Sequence, residues 1–261
     1  MQLGADIAAI VTGGASGLGE ASARRLAKQG VKVGILDMNA ERGSKVAAEI
    51  GGAFAACDVA SEASVADALA AVRGKHGAER VLVNCAGIGP AKRTISRNRE
   101  TNKIVPHELK FFARVIEINL IGTFHMIAQS AAAMADLPPV TPDGGRGAII
   151  CTASVAAEDG QIGQAAYAAS KGGIVGMTLP VARDLSSFGI RVVTIMPGLF
   201  HTPMFDTIPD DVRKTLEASI PFPKRLGKPD EYAQLVQFIC ENDMLNGTAI
   251  RLDGSVRMAP K

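Results

Sequence analysis

The stretch Ile7-Ala8-Ala9-Ile10-Val11-Thr12-Gly13-Gly14-Ala15-Ser16-Gly17-Leu18-Gly19 decides the fold. An apolar β-type run, residues 7–12, enters a glycine-rich turn that opens a helix. Glycines let the backbone turn tightly and come close to a bound group. The start of the helix offers unpaired N–H groups and the positive end of its dipole, which together suit a pyrophosphate. A glycine-rich segment alone fits an ordinary turn. The strand before it, the helix after it and a later acidic residue supply the context of a dinucleotide fingerprint. The spacing departs from G-x-G-x-x-G, because three residues separate Gly13 from Gly17. The acidic residue is Asp37, 18 residues beyond Gly19 at the end of the next β-type run. A carboxylate there accepts hydrogen bonds from the adenosine ribose and repels a 2′-phosphate. Ser16 and Met38 stand where a basic side chain would offset that repulsion, so the pattern predicts NAD over NADP.

Outward from this unit, short β-type runs alternate with helical segments. A helix over 18–29 is closed by Gly30, a plausible C-cap. Strands are predicted at 31–37, 53–57, 81–84, 147–152, 190–196 and 248–252, and helices at 40–50, 62–76, 107–134, 210–218 and 229–242. A further helix carries Tyr167 to about 187, with a kink expected at Pro180. Such alternation means an α/β fold with a parallel sheet covered by helices on both faces. Residues 136–146, rich in proline and glycine, read as a surface loop, and no stretch reads as a linker.

The 261 residues suffice for one large α/β domain. Hydrophobic residues make up 47%, aromatics only 4% and tryptophan is absent, so the core must be aliphatic and alanine-rich. The net charge of +2 argues neither for a nucleic-acid partner nor against a polyanionic small molecule. Cys57, Cys85, Cys151 and Cys240 are widely spaced and form no CxxC pair, which suggests reduced, buried thiols. His76, His107, His125 and His201 show no metal-ligand spacing, so no metal is expected. No signal peptide and no uninterrupted apolar run of membrane-spanning length is read, so a soluble, cytoplasmic protein with no membrane partner is expected.

The chemistry concentrates in Tyr167-Ala168-Ala169-Ser170-Lys171, with Ser154 thirteen residues upstream. On a helix Tyr167 and Lys171 lie at i and i+4, on one face. An ammonium about 4 Å from a phenol, at an effective dielectric of about 20, favours the phenolate by roughly 4 kcal/mol. That is nearly 3 pKa units at about 1.36 kcal/mol each, opposed in part by desolvation. The pair is thus expected to work as an acid/base near neutral pH.

These motifs stand in a fixed order: Thr12 to Gly19, Asp58-Val59, Asn84-Cys85-Ala86-Gly87, Asn119, Ser154, Tyr167 with Lys171, and Pro197-Gly198. On them the chain resembles the classical short-chain dehydrogenase/reductase family over essentially its whole length. The resemblance implies a single Rossmann-type doubly wound domain of about seven strands, residues 1–261, with substrate loops near 88–106 and 198–225. It implies that Tyr167 is the general acid/base and that Lys171 lowers its pKa and holds the nicotinamide ribose. Ser154 would hydrogen-bond the reacting oxygen, and Asn119 would help hold a water that links Lys171 to solvent. The implied cofactor bed is Gly13, Ser16, Gly17, Leu18 and Gly19 with Asp37, then Asp58 and Val59 at the adenine. Asn84, Ala86 and Gly87 form its floor, and Pro197, Gly198 and Thr202 reach the nicotinamide.

A narrower likeness lies in Thr152 to Ala157, Gly163 to Tyr167, Gly172 to Pro180, Pro221-Phe222-Pro223, Arg225-Leu226-Gly227 and Arg251-Leu252-Asp253-Gly254. These resemble the type-2 3-hydroxyacyl-CoA dehydrogenase branch, also described as multifunctional hydroxysteroid dehydrogenases. The likeness implies NAD-dependent interconversion of a 3-hydroxyacyl-CoA and a 3-ketoacyl-CoA by a homotetramer. Gln161 would face the substrate beside Ser154 and Tyr167, while Leu199, Phe200, Met204 and Phe205 suit an acyl or a sterol pocket. Lys92, Arg93, Arg97, Arg99 and Lys103 form a basic segment with Glu100 the only acid between 91 and 104. It is expected either to attract coenzyme A phosphates or to be an ordinary solvated charge run. Two other readings remain open: a hydroxysteroid or broad secondary-alcohol dehydrogenase, and a non-catalytic nucleotide- or RNA-binding protein. The last would have no use for Ser154, Tyr167 and Lys171.

Overall fold

The structure is a computed structural model that describes residues 1–203 and 210–260. Its frame is a seven-stranded parallel sheet of order β3-β2-β1-β4-β7-β8-β9. The strands are β1 (Ala8–Thr12), β2 (Lys32–Asp37), β3 (Ala53–Ala56), β4 (Val81–Asn84), β7 (Gly147–Thr152), β8 (Ile190–Pro197) and β9 (Ala249–Leu252). The central strands are buried on both faces, which is why they read as continuous apolar runs. Alternation along each strand divides the core. Ile10, Leu82, Ile149 and Cys151 face α3 (Glu62–His76), α5 (Gly122–Ala135) and α6 (Ala165–Asp184). Ala9, Val11, Val83 and Ile150 face α1 (Gly17–Lys28), α2 (Ala40–Glu49) and a C-terminal helix, α8 (Pro229–Glu241). A shorter helix, α7 (Asp210–Ser219), precedes α8.

Local signals set the boundaries. Gly30, at φ +85°, closes α1 with its N–H on the Ala27 carbonyl. Asn39 and Ser61 cap α2 and α3, their side chains accepting from the Arg42 and Ser64 amides. Strand order reverses between β1 and β4, which opens a crevice beyond the carboxyl ends of both.

Two local features differ from the sequence reading. Within the basic segment, β5 (Ile95–Arg97) and β6 (Ile104–Pro106) pair as an antiparallel hairpin. Its tip turns at Asn102, φ +55°, while the Asn98 side chain accepts from the Glu100 and Thr101 amides. Strands of three residues are too short for periodicity to register. The predicted helix 107–134 is α4 (Leu109–Ile116) and α5 joined by a π turn, Glu117–Ile121. As the sequence reading has it, α6 runs on past Pro180; the carbonyl that proline leaves unpaired belongs to exposed Gly176, where water can serve it. By length and composition Leu109–Ala135 is also a helical stretch able to cross a membrane. Here Met126, Ile127, Ala131 and Met134 on one side of it pack into the core.

Candidate active site

The crevice is a cleft of about 470 Å³ running from the glycine-rich turn to the start of α6. Each glycine of the turn has its own reason. Gly13 sits at φ +64°, and a Cβ there would lie 2.8 Å from the Ala86 nitrogen. At Gly19 a Cβ would come 2.2 Å from the Gly13 carbonyl oxygen, so only glycine lets α1 start this close to the turn. Gly17 takes φ +55° at the cleft wall facing Thr202. Ser16 is the N-cap of α1 but its side chain makes no capping bond, which leaves the first-turn N–H donors directed at the cleft.

Asp37 ends β2 beside this turn. One carboxylate oxygen accepts from the Ala15 amide at 3.0 Å and the other from the Asn39 amide at 2.9 Å. The carboxylate thus braces the glycine turn from the place where it meets the cleft. Met38 beside it is 70% exposed and brings no positive charge. Asp58 caps its own turn, accepting from Ala60, and lies 3.6 Å from Arg114. Val59 packs under Gly122, which could not carry a Cβ there. Thr12, which opens the glycine-rich motif but is given no role of its own by the sequence, holds the floor: its hydroxyl accepts from the Cys85 and Ala86 amides at 3.2 and 3.1 Å.

Ser154, Tyr167 and Lys171 meet at the far end of the cleft. Ser154 follows β7 and accepts from the Ala156 amide at 3.1 Å, so its hydroxyl is oriented by the 3-10 turn Val155–Ala157. Lys171 is buried, and its Nζ donates to the Thr152 carbonyl at 2.7 Å. The two amides that follow β4, on Cys85 and Ala86, are already taken by Thr12, so Lys171 supplies the donor that Thr152 would otherwise lack. Burial lowers the Lys171 ammonium to about 8.

Here the electrostatic expectation for Tyr167 needs correction. Nζ lies 5.8 Å from the Tyr167 ring centroid and is turned to Thr152. The phenol is raised by burial, with the Ser154 hydroxyl pulling it partly down. The assumed separation of about 4 Å holds for side chains pointing at each other, whereas here the lysine leans away to a carbonyl.

Asn119 lies behind the cleft in the π turn. Its side chain donates to the Ile88 carbonyl and accepts from the Ile88 amide, both at 2.8 Å, and donates to Ser170 Oγ at 3.0 Å. Ser170 in turn donates to the Tyr167 carbonyl, so one chain of bonds ties Asn119 to the tyrosine helix. Asn84 is buried beneath, its Nδ2 near Cys151 Sγ and its Oδ1 without a partner. Ala86, Gly87, Pro197, Gly198, Phe200 and Thr202 line the cleft. Two predicted substrate residues do not: Leu199 packs with Ile220, Leu226 and Val256, and the Gln161 amide donates to the Ala259 carbonyl. Gln161 faces a separate cavity of about 600 Å³ that it shares with Arg93, Thr94 and Ile95. Met204 and Phe205 lie outside the described residues. Among the described residues no cluster of His, Cys, Asp or Glu is placed to hold a metal.

A further buried group escaped the sequence reading. Tyr232 of α8, fully buried, places its hydroxyl 2.7 Å from Thr152 Oγ1. Thr152 Oγ1 donates to Cys85 Sγ at 3.4 Å, and Cys85 Sγ reaches Tyr232 at 3.8 Å. A buried hydroxyl left unpaired costs about 1–3 kcal/mol, and this ring of three pairs them all. Positions 85, 152 and 232 are too far apart in the chain for any motif to join them.

A doubly wound sheet with this cleft and this Ser–Tyr–Lys set defines a dehydrogenase of the dinucleotide-binding kind, and the chain belongs to the short-chain dehydrogenase family, whose pattern it matches over residues 7–213. It is an oxidoreductase of the class that uses a nicotinamide cofactor. The chain is 54% identical over 253 residues to 3-hydroxyacyl-CoA dehydrogenase type-2 of Drosophila melanogaster, covering 96% of this chain and 97% of that one. The protein of the same name in Homo sapiens is 52% identical over 256 residues, 97% and 96% of the two chains. The crystal structure of 3-hydroxyacyl-CoA dehydrogenase type-2 from Mycobacterium avium matches with a TM-score of 0.91 and 42% identity, over 98% of each chain.

Proposed function

We propose that this chain interconverts 3-hydroxyacyl-CoA and 3-ketoacyl-CoA with NAD as the hydride carrier. The observation that carries the reading is the convergence of Ser154, Tyr167 and Lys171 at one end of a cleft whose other end is the glycine turn braced by Asp37. The relatives supply the substrate class.

The residues present fit a nicotinamide dinucleotide. Gly13, Ser16, Gly17, Leu18 and Gly19 would hold its pyrophosphate at the open start of α1. Asp37 would take the ribose and select NAD. Asp58 and Val59 would meet the adenine, Asn84, Ala86 and Gly87 would support the cofactor, and Pro197, Gly198 and Thr202 would meet the nicotinamide. When bound, the cofactor accepts hydride from the carbinol carbon or returns it to the carbonyl carbon. Tyr167 moves the matching proton on the substrate oxygen: the phenol donates it in reduction and the phenolate takes it in oxidation. Ser154 donates a hydrogen bond to that oxygen and stabilises its developing charge. Lys171 would keep a positive charge beside them and hold the nicotinamide ribose. Asn119 fixes the tyrosine helix against Ile88 and would help hold a water that connects Lys171 to solvent.

The basic hairpin β5–β6 suits the phosphates of coenzyme A. The exposed Leu109, Ile121 and Phe124 of the α4–α5 helix suit pairing with a second copy, as in a homotetramer. The four free cysteines agree with a reducing, cytoplasmic setting. The initial rate of acetoacetyl-CoA reduction tests the reading, with NADH beside NADPH and a steroid ketone beside the thioester. Fast turnover is expected only with acetoacetyl-CoA and NADH. Turnover confined to the steroid refutes the substrate class, and equal efficiency with NADPH refutes the role of Asp37.

A further inference from the structure

We propose that Tyr232 is a positioning residue for Lys171, acting through Thr152 from the opposite face of the sheet. The inference rests on the reading of Lys171 as the cation beside the reacting tyrosine. Lys171 belongs to α6, which packs on one face of the sheet with Ile149 and Cys151. Tyr232 belongs to α8, which packs on the other face with Ala148 and Ile150. Hydrogen bonds from the two helices converge on one strand residue. Thr152 gives its backbone carbonyl to Lys171 Nζ at 2.7 Å and its side-chain hydroxyl to the Tyr232 ring of bonds, also at 2.7 Å.

Thr152 is the last residue of β7, where the ladder to β4 has already ended at the Asn84–Cys151 pair. On that side the carbonyl is held by no strand neighbour. Its peptide plane is held from the β8 side alone, by the Ala153 N–H on the Ile195 carbonyl at 2.8 Å, so its remaining tilt depends on what fixes the Thr152 side chain. The hydroxyl is fixed twice, by Tyr232 and by Cys85 Sγ. Each member of the ring can donate once and accept once: Tyr232 to Thr152, Thr152 to Cys85, and Cys85 back to Tyr232. Tyr232 is fully buried with apolar residues around it, and a phenylalanine would fill the same space. Its oxygen therefore serves the ring and, through it, the aim of the Thr152 carbonyl. Cys85 also lines the cofactor cleft, so the ring sits directly under the reacting end.

The test compares Tyr232→Phe, Thr152→Val, their double variant and Thr152→Ser in NADH-dependent reduction of acetoacetyl-CoA, with melting temperature measured on each. Tyr232→Phe is expected to lower kcat about tenfold, the effect of one well-placed hydrogen bond on a barrier, while leaving the KM for acetoacetyl-CoA unchanged. Thr152→Val, which keeps the carbonyl but loses the hydroxyl, should do the same. The double variant should be no slower than either single one, because both cut one chain of bonds. Thr152→Ser should restore kcat. A lowered melting temperature with unchanged kcat in Tyr232→Phe overturns the proposal, as do losses that multiply in the double variant. If Tyr232→Phe does not fold, Thr152→Val against Thr152→Ser decides alone: equal kcat values overturn the proposal. Lys171→Ala examines the underlying reading separately. Retained turnover there refutes that reading and the proposal with it, whereas lost turnover beside a fully active Tyr232→Phe refutes the proposal only.

Discussion

A phenol raised by burial and an ammonium lowered by burial leave the proton on Tyr167 at neutral pH. In the reductive direction that is the useful state, since the phenol must donate. Removing its oxygen with Tyr167→Phe should cut turnover by at least about 10²-fold, the usual worth of a positioned acid, and leave NADH binding nearly intact by fluorescence titration. Retained activity would refute its role. The pH dependence follows from Lys171, whose ammonium persists below about 8 and is lost above it. The groups that face it are Tyr167 on its own helix, Cys85 beyond β4 and Cys151 on β7. Burial holds both thiols up, Cys151 to about 12, so they stay neutral through this range. The reduction rate of acetoacetyl-CoA should be flat up to neutral pH and fall as pH rises through about 8. A profile that rises across that window would show that the lysine charge is not needed.

Among the elements, the hairpin β5–β6 carries the basic residues away from the sheet while staying tied to it. Lys92 pairs with Glu108 at 2.9 Å, and the Lys92 amide donates to the Gly163 carbonyl on the loop before α6. The side chain of Arg97 is partly spent on the Asn102 carbonyl. Replacing Arg93, Arg97 and Arg99 together by glutamine should raise the KM for acetoacetyl-CoA several-fold, with little effect on a small uncharged ketone. The gap should narrow as salt screens the phosphates; equal effects on both substrates would sink the idea. The sequence made the long elements legible because buried parallel strands are apolar runs and because Gly30 leaves a plain mark. It did not show the hairpin, whose strands are three residues each, nor the π turn, because one added residue hardly disturbs a helical period. The cleft residues were legible as spaced motifs. The lean of Lys171 toward Thr152 was not, since side-chain direction depends on which carbonyl lacks a donor. The ring of Cys85, Thr152 and Tyr232 depends on three segments meeting, which spacing along a chain does not reveal.

For the whole molecule, the exposed apolar side chains of the α4–α5 helix support the proposed homotetramer. Sedimentation should give four times the 27.1 kDa chain mass, and a monomer at micromolar concentration would overturn the homotetramer. The same helix serves two masters at different angles. Its first part, α4, packs against α6, and its second, α5, packs against β4, β7 and β8. The π turn between them takes up one extra residue while keeping both halves in phase. In a regular helix each residue advances the face by about 100°. Loss of one residue between 116 and 122 would flatten the turn into regular helix, with Val115 and Met126 still facing inward but with the bulge that presents Asn119 gone. Asn119 would leave Ile88 and Ser170 in the same motion. Chain length is therefore constrained here as tightly as chemistry, and a working variant that drops a residue from this turn must take one back within it.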